Sequence, residues 1–415
     1  MALPEDPSRL ILTDADITRD GPLRDALDEA GSGGGSEAWF SHAIRRDTAR
    51  HRRGGTIGTD GKQAIAVRID HGIQQGIDKG IFDRLDQHGI PWHLALCAEH
   101  NFAINPLEVA YPWDDIRDLS ATGGCEVGNH SRTHGQATGT AQLTSEIVDG
   151  LNLLQAQVPE QAVEVWTQPG VTGTQYDGWK HGFDVESITT TEAGKLILAN
   201  HGVVMGARDR QFWAVLDGVE TVGLAARFVD SWRPSQVVEH VQNARRQSPA
   251  VGGVLALHPV QVDRGGSFTT TAEVFEWIDW LAAERDAGRI ELLTHAGLAI
   301  ASSRDSARPS LAQASGVVAP GGSLTANPII AVVARQFYGA MWQAIAKFTA
   351  TGSGDVTLTM TSGSTVSTIT QAVTSGQTYT MRRHLTLPLT QQVGVNATLT
   401  ATAGADVADL RIQAV

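Results

Sequence analysis

The chain has 415 residues, is 41% hydrophobic and carries a formal net charge of −13. This length suffices for about two or three domains with buried cores, and the negative charge argues against binding through a nucleic-acid backbone, because no basic block is long enough to offset it. Two cysteines are too few for a disulfide framework, and the absence of an apolar run of about 18 residues argues against membrane insertion.

Residues 1–61 form the first region, which we interpret as an N-terminal arm or docking segment. It contains the run Gly-Ser-Gly-Gly-Gly-Ser at residues 31–36, which is typical of a flexible joint. The basic cluster from Arg45 to Arg53 is expected to be a solvated connector. The region begins with neither a basic stretch nor an apolar one, so we expect no export signal.

Residues 62–305 alternate between strand-like apolar runs and segments of helical period. Ala64 to Val67 reads as a strand, helical spacing follows through Leu85, and Trp92 to Cys97 reads as the next strand. Repeated alternation of this kind is typical of an α/β fold with a mostly parallel sheet. Five or more such units predict a (β/α) barrel, complete or incomplete.

Histidines and acids stand where three of these strands end. Asp70 and His71 follow the first strand, His130 and His134 follow a later one at a spacing that could place both on one helical turn, and His258 ends a third. The carboxyl ends of barrel strands are where active sites form. Three imidazoles can bind a metal that activates water, and a carboxylate beside them can act as the base that takes the proton of that water. His100 is expected to support the site without binding the metal, or to be purely structural, and His93 and His295 show no partner pattern.

The same residues resemble the polysaccharide deacetylases of carbohydrate esterase family 4. That family's second motif, His-Ser/Thr-x-x-His, is matched by His130-Ser131-Arg132-Thr133-His134, with Gly128-Asn129 before it. Arg68-Ile69-Asp70-His71-Gly72 resembles the first motif, with His71 in place of a metal-binding Asp. Leu255-Ala256-Leu257-His258 and Asp230-Ser231-Trp232 resemble the fifth and fourth motifs. The resemblance covers about residues 62 to 303 and implies a distorted (β/α) barrel.

The resemblance also implies roles for these residues. Zn²⁺, or another divalent transition metal, would be bound by His71, His130 and His134, with Asp70 as the base and His258 as the general acid. The substrate pocket or its surroundings would include Pro169, Gly170, Asp230 and Trp232. Asp230 would hold His258 or a neighbouring group in place, and Trp232 would either line the acetyl pocket or be a core aromatic.

The third motif departs from the family. Thr167-Gln168-Pro169-Gly170 lacks the Arg that in the family orients the catalytic Asp. Arg68 could substitute, but its place two residues before Asp70 on a strand fixes its direction without guaranteeing its reach, so we do not assign it this role.

After residue 305 the composition changes to Ala, Ser, Thr, Gly and Val. Residues 306–330 are interpreted as a linker, and residues 331–415, with their period-two runs, as a β-sandwich of the jelly-roll type. Such a domain binds sugars, forms oligomers or acts as a spacer. Arg382, Arg383 and His384 are expected on a solvated face.

Two functions stay open at this point, with a metal-dependent amidohydrolase acting on a small amide as a third. The first is a metal-dependent hydrolase that removes acetyl groups from a host-surface or cell-wall glycan. The second is a catalytically impaired module that keeps the metal site and binds a glycan or receptor. The layout of arm, wall-modifying domain and Thr-rich sandwich resembles a phage minor tail or tail-tip protein. That resemblance implies a virion location, other tail proteins as partners and a possible homotrimer.

Overall fold

A computed structural model describes residues 34–99, 111–170, 176, 188, 190–206, 212–218, 222–247, 250–327, 337, 339–389 and 394–415. The first part is a parallel barrel whose strands are β2 (Gln63–Asp70), β3 (Trp92–Leu96), β4 (Cys125–Asn129), β5 (Val165–Thr167), β6 (Val203–Gly206), β8 (Val222–Phe228) and β9 (Val251–Leu257). These seven strands follow one another in that order, and the pairing of β9 with β2 closes the ring. The predicted (β/α) barrel is confirmed.

Four short strands lie beside this ring. They are β1 (Ile57–Gly58), β7 (Trp213–Val215), β10 (Ile290–Leu292) and β11 (Ala301–Ser302). β10 extends the sheet beside β2, β7 runs antiparallel to β9, and β1 pairs with β11. The barrel is therefore closed by its parallel strands, with these additions outside the ring.

The helices of the described residues connect or cover these strands. They are Gly34–Arg52, Ile73–Asp78, Ile81–Gln87, Trp113–Thr122, Gly139–Thr144, Gly150–Gln157, Glu192–Asn200, Pro234–Gln247, Thr271–Asp286 and His295–Ala299, with a π-helical turn at Ser145–Asp149 and a 3-10 turn at Pro259–Gln261. None of them combines the length and the apolar character that crossing a membrane requires.

Alternate residues of β2 face opposite sides of the barrel wall. The small residues Ala64 and Ala66 pack inside, whereas Ile65, Val67 and Ile69 pack in the cluster beneath the helices. Every residue of β2 is buried, and the strand reads in the sequence as an apolar run from Ala64 to Val67. The inward positions near the carboxyl end of this strand are polar, and they point toward the site.

The second part is a jelly roll of eight antiparallel strands. They are β12 (Ser310–Val318), β13 (Gly322–Ala326), β14 (Met341–Ala350), β15 (Gly354–Ser362), β16 (Thr365–Val373), β17 (Thr378–Thr386), β18 (Val395–Ala401) and β19 (Ala405–Ala414). One sheet has the order β12-β19-β14-β17 and the other β13-β18-β15-β16, which is the jelly-roll arrangement.

The structure corrects the predicted linker at residues 306–330, because its residues supply the first two strands of the jelly roll. Ser310–Val318 pairs with β19, and Gly322–Ala326 pairs with β18. Few side chains of β12 are buried, so its sequence lacks the regular apolar alternation that marks a strand.

The N-terminal region also differs from its interpretation as an arm. The Gly34–Arg52 helix begins inside the predicted flexible joint and packs along the Glu192–Asn200 helix, where Arg45 donates to the carbonyl of Ala199 at 2.6 Å. The predicted solvated connector ends at Arg53, which is buried against the barrel. Residues 1–33 lie outside the described residues.

The jelly roll packs on the amino-terminal end of the barrel. Gln343 donates to the carbonyl of Gly89, just before β3, at 2.9 Å, and Thr386 donates to the carbonyl of Ser120, before β4, at 2.7 Å. Arg382 and Arg383 form ion pairs with acids of the barrel, and His384 is fully buried. The predicted solvated face at residues 382–384 was therefore wrong, because those side chains lie in this interface.

Candidate active site

Polar side chains converge at the carboxyl end of the barrel. Asp70 is the last residue of β2, His130 follows β4, and His258 follows β9. Because these strands run parallel, their carboxyl ends lie at one mouth. The jelly roll covers the opposite end, so the mouth is not blocked by it.

The three predicted metal ligands form one buried cluster. The possible ligand atoms of His71, His130 and His134 all lie within 4.8 Å of one another. Their ring centroids are 4.7 to 4.9 Å apart. One ion can therefore reach all three imidazoles, as a tetrahedral site with an open fourth position requires.

The cluster is built on strained backbone instead of the expected helical turn. His71, Ser131 and His134 have φ values of 54°, 76° and 59°, a region that costs non-glycine residues energy. The turn is held locally, since the backbone N–H of His134 donates to Ser131 Oγ at 2.9 Å and that of Ser131 donates to Asn129 Oδ1 at 3.1 Å. The two motif histidines converge because this turn folds His134 back toward His130.

The hydrogen bonding of the cluster fits a metal. His130 Nδ1 lies 2.8 Å from the carbonyl of Thr167, so it must carry the proton and leave Nε2 as the ligand. His134 Nδ1 is buried, and the described residues offer it no hydrogen-bond partner. Burial lowers the pKa of His134 to about 4 and lowers the pKa of His130 well below its usual value. Both rings are therefore neutral at pH 7, which is the form that binds metals.

Arg68 contacts the predicted base directly. Its guanidinium forms a two-pronged ion pair with the carboxylate of Asp70, and both side chains are almost fully buried. Its remaining nitrogen donates to the carbonyl of Gly206 at 3.2 Å, and its carbon lies 5.6 Å from the Phe228 ring centre. Sequence reasoning did not assign this role to Arg68, whereas in the structure its guanidinium holds Asp70 from inside the barrel.

His258 lies across the mouth and is held by Asp230. The carboxylate of Asp230 accepts from the backbone N–H of His258 at 2.7 Å and from its Nδ1 at 2.8 Å. Nε2 then faces Asp70, 3.9 Å from Oδ2. Burial lowers the pKa of His258, but the hydrogen bond and the charge of Asp230 outweigh it, so the pKa is raised above its usual value. The side chain is 26% exposed, so a substrate can reach it.

The remaining predicted site residues are less closely tied to the cluster. Pro169 is buried and Gly170 is exposed directly after β5, at the same end of the barrel. The described ring contacts of Trp232 are with Arg227, at 4.6 Å, and with His240, at 5.3 Å. Its place beside an acetyl group therefore stays a prediction. His100 lies outside the described residues.

Sequence reasoning missed the polar interior below the cluster. His93 Nδ1 lies 3.0 Å from Glu126 Oε2, and His93 Nε2 lies 3.0 Å from Thr167 Oγ1. His295 stacks on His93 with ring centroids 4.0 Å apart. The sequence did contain a signal for this interior. His93 and Glu126 are polar residues at inward-facing positions of strands that are otherwise apolar.

The comparisons with known proteins give only distant similarities. No family model matches the chain, and no curated protein matches it. Among solved structures it is similar to a family 4 acetyl xylan esterase from Clostridium thermocellum in complex with a cobalt ion, at 16% identity and a TM-score of 0.34, over 56% of this chain and 87% of that one. It is also similar to a peptidoglycan deacetylase from Bacillus subtilis, at 17% identity and a TM-score of 0.34, over 58% and 91%.

A third similar structure is a pseudoenzyme of carbohydrate esterase family 4 from Bacillus anthracis, at 13% identity and a TM-score of 0.33, over 58% of this chain and 66% of that one. Identities and TM-scores this low carry no conclusion about the activity of this chain.

Proposed function

We propose that this chain is a metal-dependent carbohydrate esterase that removes acetyl groups from a polysaccharide. The observation that carries the proposal is the cluster of His71, His130 and His134 with two further groups beside it. Asp70 adjoins the cluster in the chain, and His258 faces Asp70 across the mouth at 3.9 Å. A metal site, a base and an acid in one opening are the parts that acyl transfer to water needs.

Zn²⁺ is the proposed metal. Three imidazoles suit it, and a set of three protein ligands is the pattern of catalytic zinc sites, which keep a position for water or substrate. When bound there, a divalent ion supplies Lewis acidity toward an acyl oxygen and a water molecule. The chain itself supplies orientation and proton transfer.

Asp70 acts as the base in this proposal. Its carboxylate is fixed by the two-pronged contact with Arg68, so it needs no rearrangement before it accepts a proton. Gly170 lies at the same barrel end, shortly after β5, where its backbone N–H can support the developing oxyanion.

His258 acts as the acid. Asp230 accepts a hydrogen bond from the Nδ1–H of His258. In the imidazolium form the other N–H is therefore at Nε2, which faces the reacting groups. Its raised pKa keeps that proton available near neutral pH. Donation to the leaving amine or alcohol of the sugar completes the hydrolysis.

The substrate proposed is an acetylated host-surface or cell-wall glycan, on the strength of the motif match at residues 130–134 and 68–72. The alternative is a glycan- or receptor-binding module without turnover, and it rested on the Arg missing from the third motif. Because Arg68 fills that role toward Asp70, we favour the enzyme.

Acetate release from acetylated glycans, measured with added Zn²⁺ on the parent and on Asp70→Asn, tests this function. We expect release by the parent and a loss of at least about 100-fold in the variant, since general base catalysis contributes about that much. No release by the parent on any acetylated glycan, with the metal bound, would favour the binding module. Undiminished release by Asp70→Asn would refute the assigned base.

We also propose that the chain works as a component of a phage tail, acting at the outer surface of the host. The support is its layout, a hydrolase-like barrel fixed to a Thr-rich jelly roll, an architecture found in capsid and lectin domains. Immunogold labelling of virions that carry the chain tests the location. Light scattering of the purified chain tests the proposed homotrimer, and a strictly monomeric mass would remove it.

A further inference from the structure

A column of buried polar side chains runs through the barrel from its closed end to the histidine cluster. Arg53 donates to Glu126 at 3.2 Å, and Glu126 contacts His93 at 3.0 Å. His93 contacts Thr167 Oγ1 at 3.0 Å, and the carbonyl of Thr167 accepts from His130 at 2.8 Å. Each of these side chains is less than a tenth exposed. The column thus connects the N-terminal helix region to a predicted metal ligand.

The charges at the closed end fix the direction of every hydrogen bond. Arg53 lies between Glu126 and Glu164, and donates to the latter at 2.7 Å. Burial alone would raise the pKa of Glu126, but the bond to His93 and the charge of Arg53 lower it, so Glu126 is a carboxylate and can only accept. His93 must therefore carry its proton on Nδ1.

The hydrogen-bonding role of His93 Nε2 then follows from the proton on Nδ1. Burial lowers the pKa of His93 in spite of the nearby carboxylate, so the ring holds a single proton. Its Nε2 is consequently an acceptor, and the Thr167 hydroxyl must donate to it. This bond holds Thr167 in place. The backbone carbonyl of Thr167 in turn accepts a hydrogen bond from His130 Nδ1.

The neighbouring strand makes room for this column. A Cβ atom added to Gly128 would lie 2.2 Å from Cε1 and 2.4 Å from Nε2 of His93. No side chain fits there while His93 keeps its place. Gly128 stands two residues before His130, so the strand that delivers the ligand has no side chain at the position where the ring packs.

We infer that His93 and Thr167, supported by Glu126 and Arg53, are positioning residues that set the tautomer and ring orientation of the metal ligand His130. The inference rests on the proposed metal site. A ligand histidine normally gives its second N–H to a carbonyl or carboxylate, and loss of such outer contacts weakens metal binding by about 10- to 100-fold. Here the carbonyl is itself held by a chain of side chains that ends in a buried ion pair.

The test is the affinity of the full chain for Zn²⁺ and for Co²⁺, measured by chelator competition. Thr167→Val keeps the size of the side chain and the carbonyl but removes the hydroxyl, so we expect binding about 10-fold weaker. His93→Leu removes the other end of the same bond. Because the two residues act through one contact, the double variant should bind about as weakly as the weaker single variant, not the product of both losses.

His295→Leu is the matched control. His295 is as deeply buried as His93 and stacks on it, but neither of its ring nitrogens has a hydrogen-bond partner among the described residues. Its replacement disturbs the same packing and removes no hydrogen bond of the column. We expect its metal affinity to stay within about twofold of the parent, and the visible spectrum of its Co²⁺ form to be unchanged, whereas that of Thr167→Val shifts.

Parent-like affinity in Thr167→Val would overturn the inference, as would an equal loss in His295→Leu. If His93→Leu does not fold, Thr167→Val and the control still decide the question. A parent chain that binds neither metal would instead contradict the proposed function, so the two failures are distinguishable.

Discussion

The contact between Arg68 and Asp70 allows a quantitative test of how the site is assembled. Arg68→Met preserves the length of the side chain but leaves the carboxylate of Asp70 buried without its cation. Both side chains are about 1 to 2% exposed, and removing one partner of such a pair costs about 3 to 5 kcal/mol. His258, 3.9 Å from Asp70, can compensate part of the charge, so we expect about 3 kcal/mol.

Thermal and denaturant unfolding measure this loss. They should be run with a chelator present, so that bound metal does not stabilise the folded state. At about 2 to 4 °C per kcal/mol for a domain of this size, the melting temperature of the barrel should fall by about 6 to 12 °C. The double variant Arg68→Met/Asp70→Asn removes both charges of this pair and should recover most of the loss.

Two outcomes would refute this reasoning. A loss below about 1 kcal/mol in Arg68→Met would mean that the pair behaves like an exposed one. A double variant no more stable than Arg68→Met would mean that the lost stability came from the packing of Arg68 on Phe228, not from the charge of Asp70.

Other expectations concern the acid and the packing. Because the pKa of His258 is raised in the folded chain, its protonated form should persist to higher pH than usual, and kcat should fall as the pH rises through that value. Asp230→Asn should move this alkaline limb to lower pH, and an unmoved limb in the pH profile would contradict the role of His258. The contact between Asp230 and His258 stabilises the fold while His258 is protonated. This contribution to the free energy of unfolding is therefore present at low pH and is lost as the pH rises through the raised pKa of His258. Gly128→Ala, whose new methyl group would overlap His93, should cost about 1 to 3 kcal/mol in denaturant unfolding. Gly170→Ala, which meets nothing within 4 Å, should be neutral, and equal effects of the two would argue against the overlap.

Much of the site could be predicted from the sequence because parallel strands end together. Once Asp70, His130 and His258 are placed at strand ends, their meeting at one mouth requires no knowledge of the rest of the fold. The contact between Arg68 and Asp70 could not be predicted in the same way. Residues two apart on a strand share a face, but whether the guanidinium reaches back to Asp70 depends on Phe228 and Gly206, which come from other strands.

The other features that the sequence analysis missed also depend on contacts between segments that are distant in the chain. Ser310–Val318 buries too few side chains to show a period, so its role as a strand is set by pairing with β19. Arg382 and His384 look like surface residues until the barrel covers them. His93 has no nearby partner in the sequence, since Glu126 is brought to it by β4 and Thr167 by β5.

The buried guanidinium of Arg53 bears on where this protein can be divided. A fragment cut at residue 62, the start of the predicted catalytic region, would keep Glu126 and Glu164 but lose Arg53, which pairs with both. The two buried carboxylates would then lack the cation that pairs with them. The structural unit of the barrel therefore extends backward to include the helix that ends at Arg52, and this helix belongs to the barrel as much as any strand of its wall.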